Sequence, residues 1–456
     1  MAYLRLLPVW ALSVAAAFVL THSLSTQTQA ASAKPTTSLG SPTRAQLINA
    51  LNEIADFGVA VLMTPAGSGR ADYDMIEGEW REYETHWHTG QLIWGLLEAG
   101  TVLNRPDLIA SAQEAGEWWI STAYPKDHVL EGLVAAAHGD KLGALINWTT
   151  ISDGTPGLFA LTRITGDPRY GDVATNAGRW LWHNTRVAAD VPGGAWLFYN
   201  IIDPITGLVY TDWDVHTQGV PRVAEIAAAK PAPIERVARP NIEGFLLQDM
   251  CRHTGDQIWC ARFLEQADAT LARQDPASGL WLQFEPNAAD GSQIHPRFNV
   301  WNAEALLQAY ALSGEKRYLD GAAKTARWAK SVMRPDGTLY YRTSLDGESN
   351  RAEVTGSAIA FNGILMLRLK HYGYTEFDQT IDRMALWLIR NRFSCSHPDP
   401  NLACAVINTR QRQRDRRLDM VNRDVGSSFG LRFLALYLRA LSGEDVNRHL
   451  TQNGLE

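Results

Sequence analysis

Acidic residues stand ahead of several apolar stretches in this 456-residue chain, each with histidine, arginine or tryptophan close by. EGEWREYETHWHTGQ carries Glu84, His86 and His88, and ISDGTPG carries Asp153. YTDWDVHTQG carries Asp212, Trp213 and His216, and ARPNIEG carries Glu243. IHPRFNVWNAE carries His295, Arg297, Asn299 and Trp301, and EVTGSA begins at Glu353. Breaking a glycosidic bond takes one carboxyl that donates a proton and usually a second that acts as base or nucleophile. Burial raises the proton affinity of the donor, so it stays protonated near neutral pH. Asp153, Asp212, Glu243 and Glu353 form the candidate catalytic set. Glu84, His86, His88, Trp213, His216, His295, Arg297, Asn299 and Trp301 form the candidate substrate-binding set, with Arg297 suited to a sugar carboxylate. The same groups admit a second chemistry, that of a lyase or epimerase. His216, His295 or Tyr83 would then take a proton while Arg297 or Asn299 neutralises the substrate's charge.

Plainer readings apply to the same residues. Asp153 and Glu353 stand where a carboxylate caps a helix, and Glu79, Glu82 and Glu84 read equally as a solvated acidic loop. In HWH, alternation along a strand would place both histidines on one side, as in a metal pair. No HExxH pattern and no clear third ligand accompany them, so neither a metal nor another cofactor is expected. No phosphate loop, dinucleotide fingerprint or nucleophile elbow is found.

The elements that must carry these residues repeat one plan. RITGDPRYGDVA, RHTGDQIWCARF, ALSGEKRYLDGA and KHYGYTEFDQTI each end a helix at a glycine (Gly166, Gly255, Gly314, Gly373) and start the next beside an acid or proline. Six amphipathic segments, near 45–61, 106–121, 168–186, 256–273, 316–331 and 374–391, have one wet face and suit an outer ring. Six others, near 87–101, 154–165, 241–254, 300–313, 355–371 and 427–442, are rich in small and apolar residues and suit an inner ring. One hairpin cannot bury its own apolar face, and repetition solves that. The expected fold class is all-α, an (α/α)6 toroid with short β-hairpins in loops on one face; an open superhelical repeat is the alternative. DPITGLVYTDWD, QDPASGLWLQFEP and RPDGTLYYRTSLDG supply the hairpin candidates. Long loops run from outer to inner helices, so the candidate residues gather on one face, and tight turns close the other.

Composition sets outer bounds. A 46% hydrophobic content supports a large core, and a formal net charge of -7 argues against nucleic acid as a partner. The 16 tryptophans suit stacking on sugars as well as core packing. Residues 1–33 read as a signal peptide or an N-terminal anchor, and residues 41–456 as one toroid domain. The expected location is secreted or periplasmic, or anchored at the N-terminus, with membrane contact only if the first segment is retained. Cys251 with Cys260, and Cys395 with Cys404, would each close a short loop as a disulfide.

SDGTPGLFALTRITGDPRYGDVATNAGRWLW at 152–182, QDPASGLWLQF at 274–284 and EVTGSA at 353–358 resemble segments of the six-hairpin glycosidases, especially the unsaturated glucuronyl and rhamnogalacturonyl hydrolases. The resemblance implies a hydrolase of uronic-acid-containing oligosaccharides or polysaccharides. In the glucuronyl and rhamnogalacturonyl enzymes, a 4,5-unsaturated uronic acid is removed by hydrating its vinyl ether. It also implies that Asp153 is the main acid/base. The same scaffold hosts lyases and epimerases, and a non-catalytic glycan-binding or assembly protein is a third reading.

Overall fold

The computed structural model describes residues 40–139, 142–211, 234–284, 286–349, 353–414, 417–451 and 454–455. The proposed signal segment and the candidates Asp212, Trp213 and His216 lie outside these residues. Among the described residues, twelve long helices alternate between two rings, and a short helix, α4 (Trp148–Ser152), precedes the fourth of them. The outer helices are α1 (Arg44–Phe57), α3 (Pro106–Ser121), α6 (Pro168–Asn184), α8 (Gln257–Ala272), α10 (Lys316–Val332) and α12 (Asp378–Arg390). The inner helices are α2 (Thr85–Leu103), α5 (Thr155–Thr165), α7 (Leu246–Thr254), α9 (Pro296–Ser313), α11 (Gly356–His371) and α13 (Val425–Leu441). Inner helices are buried almost all round, as α9 is from Pro296 to Ala309, whereas outer helices bury one stripe.

Local chemistry sets the helix ends. Thr43 and Gln46 form a reciprocal capping box at the start of α1, and Asp167 and Asp256 accept from the amides of Arg169 and Ile258 at the starts of α6 and α8. At the other ends Gly166, Gly255 and Gly314 cap α5, α7 and α9 in the left-handed region, with φ between 72 and 76. Both expected cysteine pairs are joined, Cys251–Cys260 and Cys395–Cys404.

The ring closes, which rules out the open superhelix. A Cβ on Gly95 of α2 would stand 2.8 Å from the carbonyl oxygen of Ser428 in α13, so the first and last inner helices touch backbone to backbone. Arg439 of α13 pairs with Glu98 of α2 at 3.1 Å. The ring's axis is ionic as well as apolar. Arg432 lies 3.3 Å above the Trp94 ring, donates to Gln91 at 3.3 Å and stands 3.5 Å from Glu304. Glu304 in turn accepts from Arg368 at 2.7 Å.

The loop-rich face carries most of the short strands. These are β1 (Asp72–Asp74), β2 (Glu79–Arg81), β3 (Ala137–Gly139), β4 (Gly143–Asn147), β5 (Phe198–Tyr199), β6 (Ile201–Ile202), β7 (Ala238–Arg239), β8 (Thr409–Arg414) and β9 (Arg417–Arg423). The order β2-β1-β9-β8 joins the loop before α2 to the loop before α13, with Asp72 opposite Arg423. β3-β4-β6 and β5-β7 form two further small sheets. At the opposite end, β10 (Leu450–Thr451) pairs with β11 (Gly454–Leu455).

Three expectations need correction. The third inner helix starts at Leu246 and not at 241, because Asn241, Gly244 and Phe245 all take positive φ and a 3-10 turn (Glu243–Phe245) precedes it. The described part of QDPASGLWLQFEP forms turns instead of a hairpin, closed by the Asp275 amide on the Leu280 carbonyl at 2.8 Å. HWH lies in the first turn of α2 and not on a strand, so its two histidines face different neighbours.

Glycine permits the closest helix approach. A Cβ on Gly90 would fall 2.1 Å from the Gly154 carbonyl oxygen, and one on Gly157 would fall 2.1 Å from that of Gly90. Gly90→Ala should therefore destabilise the fold by at least about 1–3 kcal/mol, as overpacking does. Gly430→Ala, whose new methyl would meet only the Val406 side chain at 3.5 Å, should be neutral or stabilising by up to about 1 kcal/mol. Urea unfolding of the two variants checks the contrast; equal midpoints would contradict it.

Candidate active site

Three carboxylates converge where these backbones meet. Glu84 precedes α2 in the left-handed region (φ 43), its amide held by the His138 carbonyl at 2.8 Å. Its side chain accepts from Asn147 at 3.2 Å and stands 3.6 Å from His138 Nε2. Asp153 sits in the corner between α4 and α5, where its backbone carbonyl accepts from Gln91 Nε2. Glu243 opens the turn before α7. The next residue, Gly244 (φ 73), rests so closely on the Ser152 carbonyl oxygen that a Cβ there would lie 2.0 Å from it. That contact brings the Glu243 and Asp153 backbones together.

Capping does not account for Asp153. Gly154 holds the N-cap position of α5, and no side-chain cap bond is made there. Among the described residues, the Asp153 carboxyl takes only a 3.4 Å contact, from the Ser152 hydroxyl. Burial, then the charges of Glu243 and Glu84, push its proton affinity well above the usual carboxylate range; Arg297 opposes the rise. Burial also raises Glu243, against the charge of Arg239. Both carboxyls therefore favour the protonated form more than a free carboxylate does.

A basic wall adjoins the acids. Arg297 donates to Ser357 Oγ at 3.2 Å and stacks 4.9 Å above the Trp87 ring. Arg423 pairs with Asp72 at 2.7 Å, donates to the Tyr341 hydroxyl at 3.3 Å and stands 4.9 Å from the Tyr83 ring. Arg410 stands 5.4 Å from the Tyr341 ring, and His295 meets that ring edge-on at 4.7 Å. Burial alone would raise the Tyr341 phenol, yet Arg410, Arg423, Arg297 and Arg342 bring it down to about 7. His295 is held neutral by burial and by the same arginines, and its Nδ1 accepts from the Phe298 amide at 3.3 Å.

The remaining candidates separate. His86 turns toward α3, bonding Thr122 at 2.7 Å between Trp118 and Trp119, and burial lowers it to about 3. His88 turns the other way and bonds Asp424. Asn299 braces a loop: its amide oxygen accepts from the Trp281 amide at 3.0 Å and from Asn287 at 3.1 Å, and its nitrogen donates to the His295 carbonyl at 3.1 Å. Trp301 packs on Phe361 and Phe429 in the core, because its position on α9 faces the ring. Asn299 and Trp301 therefore join neither the three acids nor the basic wall. Glu353 accepts the Gln411 amide of β8 at 2.8 Å, while Thr355 caps α11. Among the described residues, no group of three His, Cys, Asp or Glu side chains is placed to hold a metal ion.

Sequence reasoning missed Tyr341, Arg410, Arg423 and His138. For Arg410 there was a signal: TRQRQR places it at the start of a strand alternating basic and polar residues. Nothing local marked Tyr341, because what sets it apart is the company of arginines from other loops.

No protein-family model matches the sequence, and no curated protein matches it. Solved structures do resemble the fold. An unsaturated glucuronyl hydrolase specific for heparin superposes with a TM-score of 0.60 at 12% identity, covering 89% of this chain and 100% of that one. Cellobiose 2-epimerase from Bacillus thermoamylovorans gives 0.60 at 10% identity, covering 86% and 99%. D-mannose isomerase gives 0.58 at 10% identity, covering 87% and 98%.

The raised proton affinity of Asp153 has a consequence for stability. An acid that binds its proton more tightly when folded costs stability as pH rises from its ordinary value near 3.8 through the raised one. Asp153→Asn removes that cost. The variant should melt higher than the parent at pH 7, and the gain should shrink toward pH 4. Thermal melts across that range check it; a gain independent of pH would contradict the assignment.

Proposed function

We propose that this six-hairpin toroid is a carbohydrate-active enzyme, a glycoside hydrolase of uronic-acid-containing oligosaccharides with Asp153 as the proton donor. The observation that carries the proposal is a buried carboxyl of raised proton affinity beside a second carboxylate, with arginines on the adjoining wall. Asp153 donates its proton to the bond being broken, or to the vinyl ether of an unsaturated uronate. Glu243, close by on the next hairpin, raises the proton affinity of Asp153 before the reaction and supplies the base that activates water. Arg297 and Arg410 bind the sugar's carboxylate. Asp212, on the long insertion, remains a candidate second acid, and Trp213 and His216 remain candidate sugar contacts. The likeness to a glucuronyl hydrolase favours this chemistry over others by analogy of fold. The two disulfides fit a location outside the reducing cytoplasm, and we place the chain as secreted or periplasmic.

One observation favours a second reading. Tyr341, near pKa 7 among arginines that would neutralise a uronate, is equipped to take the C5 proton of a uronic acid. Departure of the C4 substituent would then give elimination, and return of a proton to the other face of C5 would give epimerisation.

Two substitutions separate the readings. On an identified substrate, Asp153→Asn should fold and lose roughly 100-fold or more in turnover. Tyr341→Phe should keep most of its turnover while binding the substrate less well. Hydration of an unsaturated uronate would be followed as loss of absorbance near ~235 nm, and elimination as a gain. The converse result, an active Asp153→Asn and an inactive Tyr341→Phe, would overturn the hydrolase and support the lyase or epimerase.

A further inference from the structure

The end of the toroid opposite Asp153 holds a second concentration of charge with its own cavity. The cavity is bounded by the inner helices α2, α5, α11 and α13 and is covered by the chain around Val446–Leu450. Arg163, Arg368, Arg448, His449 and Glu98 line it, and it has room for a guest about the size of one water molecule.

Its polar lining consists mostly of donors. The Nε–H groups of Arg163 and Arg368 are both buried without a hydrogen-bond partner. His449 accepts from Arg252 through Nε2, which puts the ring proton on Nδ1 and adds a third donor. His449 is kept neutral by burial and by Arg163, Arg252, Arg368 and Arg439 around it.

The carboxylates that meet these cations are shared between arginines. Asp249 is shared by Arg163 at 3.5 Å and Arg252 at 4.0 Å. Glu304 is shared by Arg368 at 2.7 Å and Arg432 at 3.5 Å. Glu98, the one acid among the described residues that line the cavity, is engaged by Arg439 at 3.1 Å, and Arg439 also takes Glu444 at 3.1 Å. Arg163 and Arg368 thus each share a carboxylate with a second arginine. A buried guanidinium group with unmet donors in low-dielectric surroundings is costly, and a guest that only accepts and carries negative charge relieves both terms.

We propose that this cavity binds a small monovalent inorganic anion, of which chloride is the type, on Arg163 Nε, Arg368 Nε and His449. The anion ties the chain around Val446–Leu450 to the inner ring and closes the base of the toroid. The site does not depend on the reaction at the other end, and its failure would leave the proposed activity untouched.

Thermal unfolding of the full chain in sodium chloride, sodium bromide and sodium gluconate at matched ionic strength reads the linkage. The halides should raise the midpoint by about 2 °C or more over gluconate. Arg163→Gln removes one donor at the half-buried rim, and the difference between halide and gluconate should shrink or vanish. Crystals grown in bromide should show anomalous scattering between Arg163 and Arg368. Coincident melting curves of the parent protein in all three salts, with no bromide peak in the cavity, would overturn the proposal whether or not the variant folds.

Discussion

Everything at the mouth of this toroid depends on backbone meeting backbone without side chains between. Gly90, Gly154 and Gly157 let α2 and α5 approach until a single methyl group on Gly90 or Gly157 would overlap a carbonyl oxygen, and Gly244 repeats the device against Ser152. Interiors at native density do not absorb such overlaps. The carboxyls of Glu84, Asp153 and Glu243 hang from these contacts. Their mutual repulsion and burial, which raise the proton affinity of Asp153, follow from where the backbones are forced to lie. Side-chain chemistry here follows from main-chain geometry.

Along the axis the constraint is of another kind. Six inner helices arranged as a ring leave a centre that apolar side chains alone do not fill, and this sequence threads it with Gln91, Arg432, Glu304 and Arg368. Each group in that column is held by at least one other, as charge at this depth requires. The column begins at the Asp153 carbonyl through Gln91 and ends at the cavity beneath Arg368, so the two ends of the ring are tied by one run of polar contacts.

The helices were legible because their punctuation is local. Gly166, Gly255 and Gly314 end helices in a conformation that glycine adopts readily, and the wet stripe of each outer helix is written in its own residues. What was less legible depends on partners distant in the chain. His86 and His88 look like a pair in sequence, but α2 turns one toward Thr122 and the other toward Asp424. Asn299 looks like a free polar group until the Trp281 and Asn287 loop folds over it. Tyr341 looks ordinary until Arg410 and Arg423 arrive on the strands before the last helix. The start of α7 lies later than the pattern suggests because Asn241 and Phe245, neither of them glycine, take positive φ, and the sequence carries no glycine at those positions to mark the break.

Ring closure carries a consequence for the order of assembly. Arg439 reaches back 341 residues to Glu98, and Arg423 reaches back 351 residues to Asp72. The partners of the first inner helix and of β1 are thus made more than 300 residues after them. Earlier hairpins can form as they emerge, but α2 and β1 must wait with part of their surface uncovered, since contacts of such long range come late and slowly. The basic wall beside Asp153, built in part on Arg423, is complete only once the chain through Arg423 has been made.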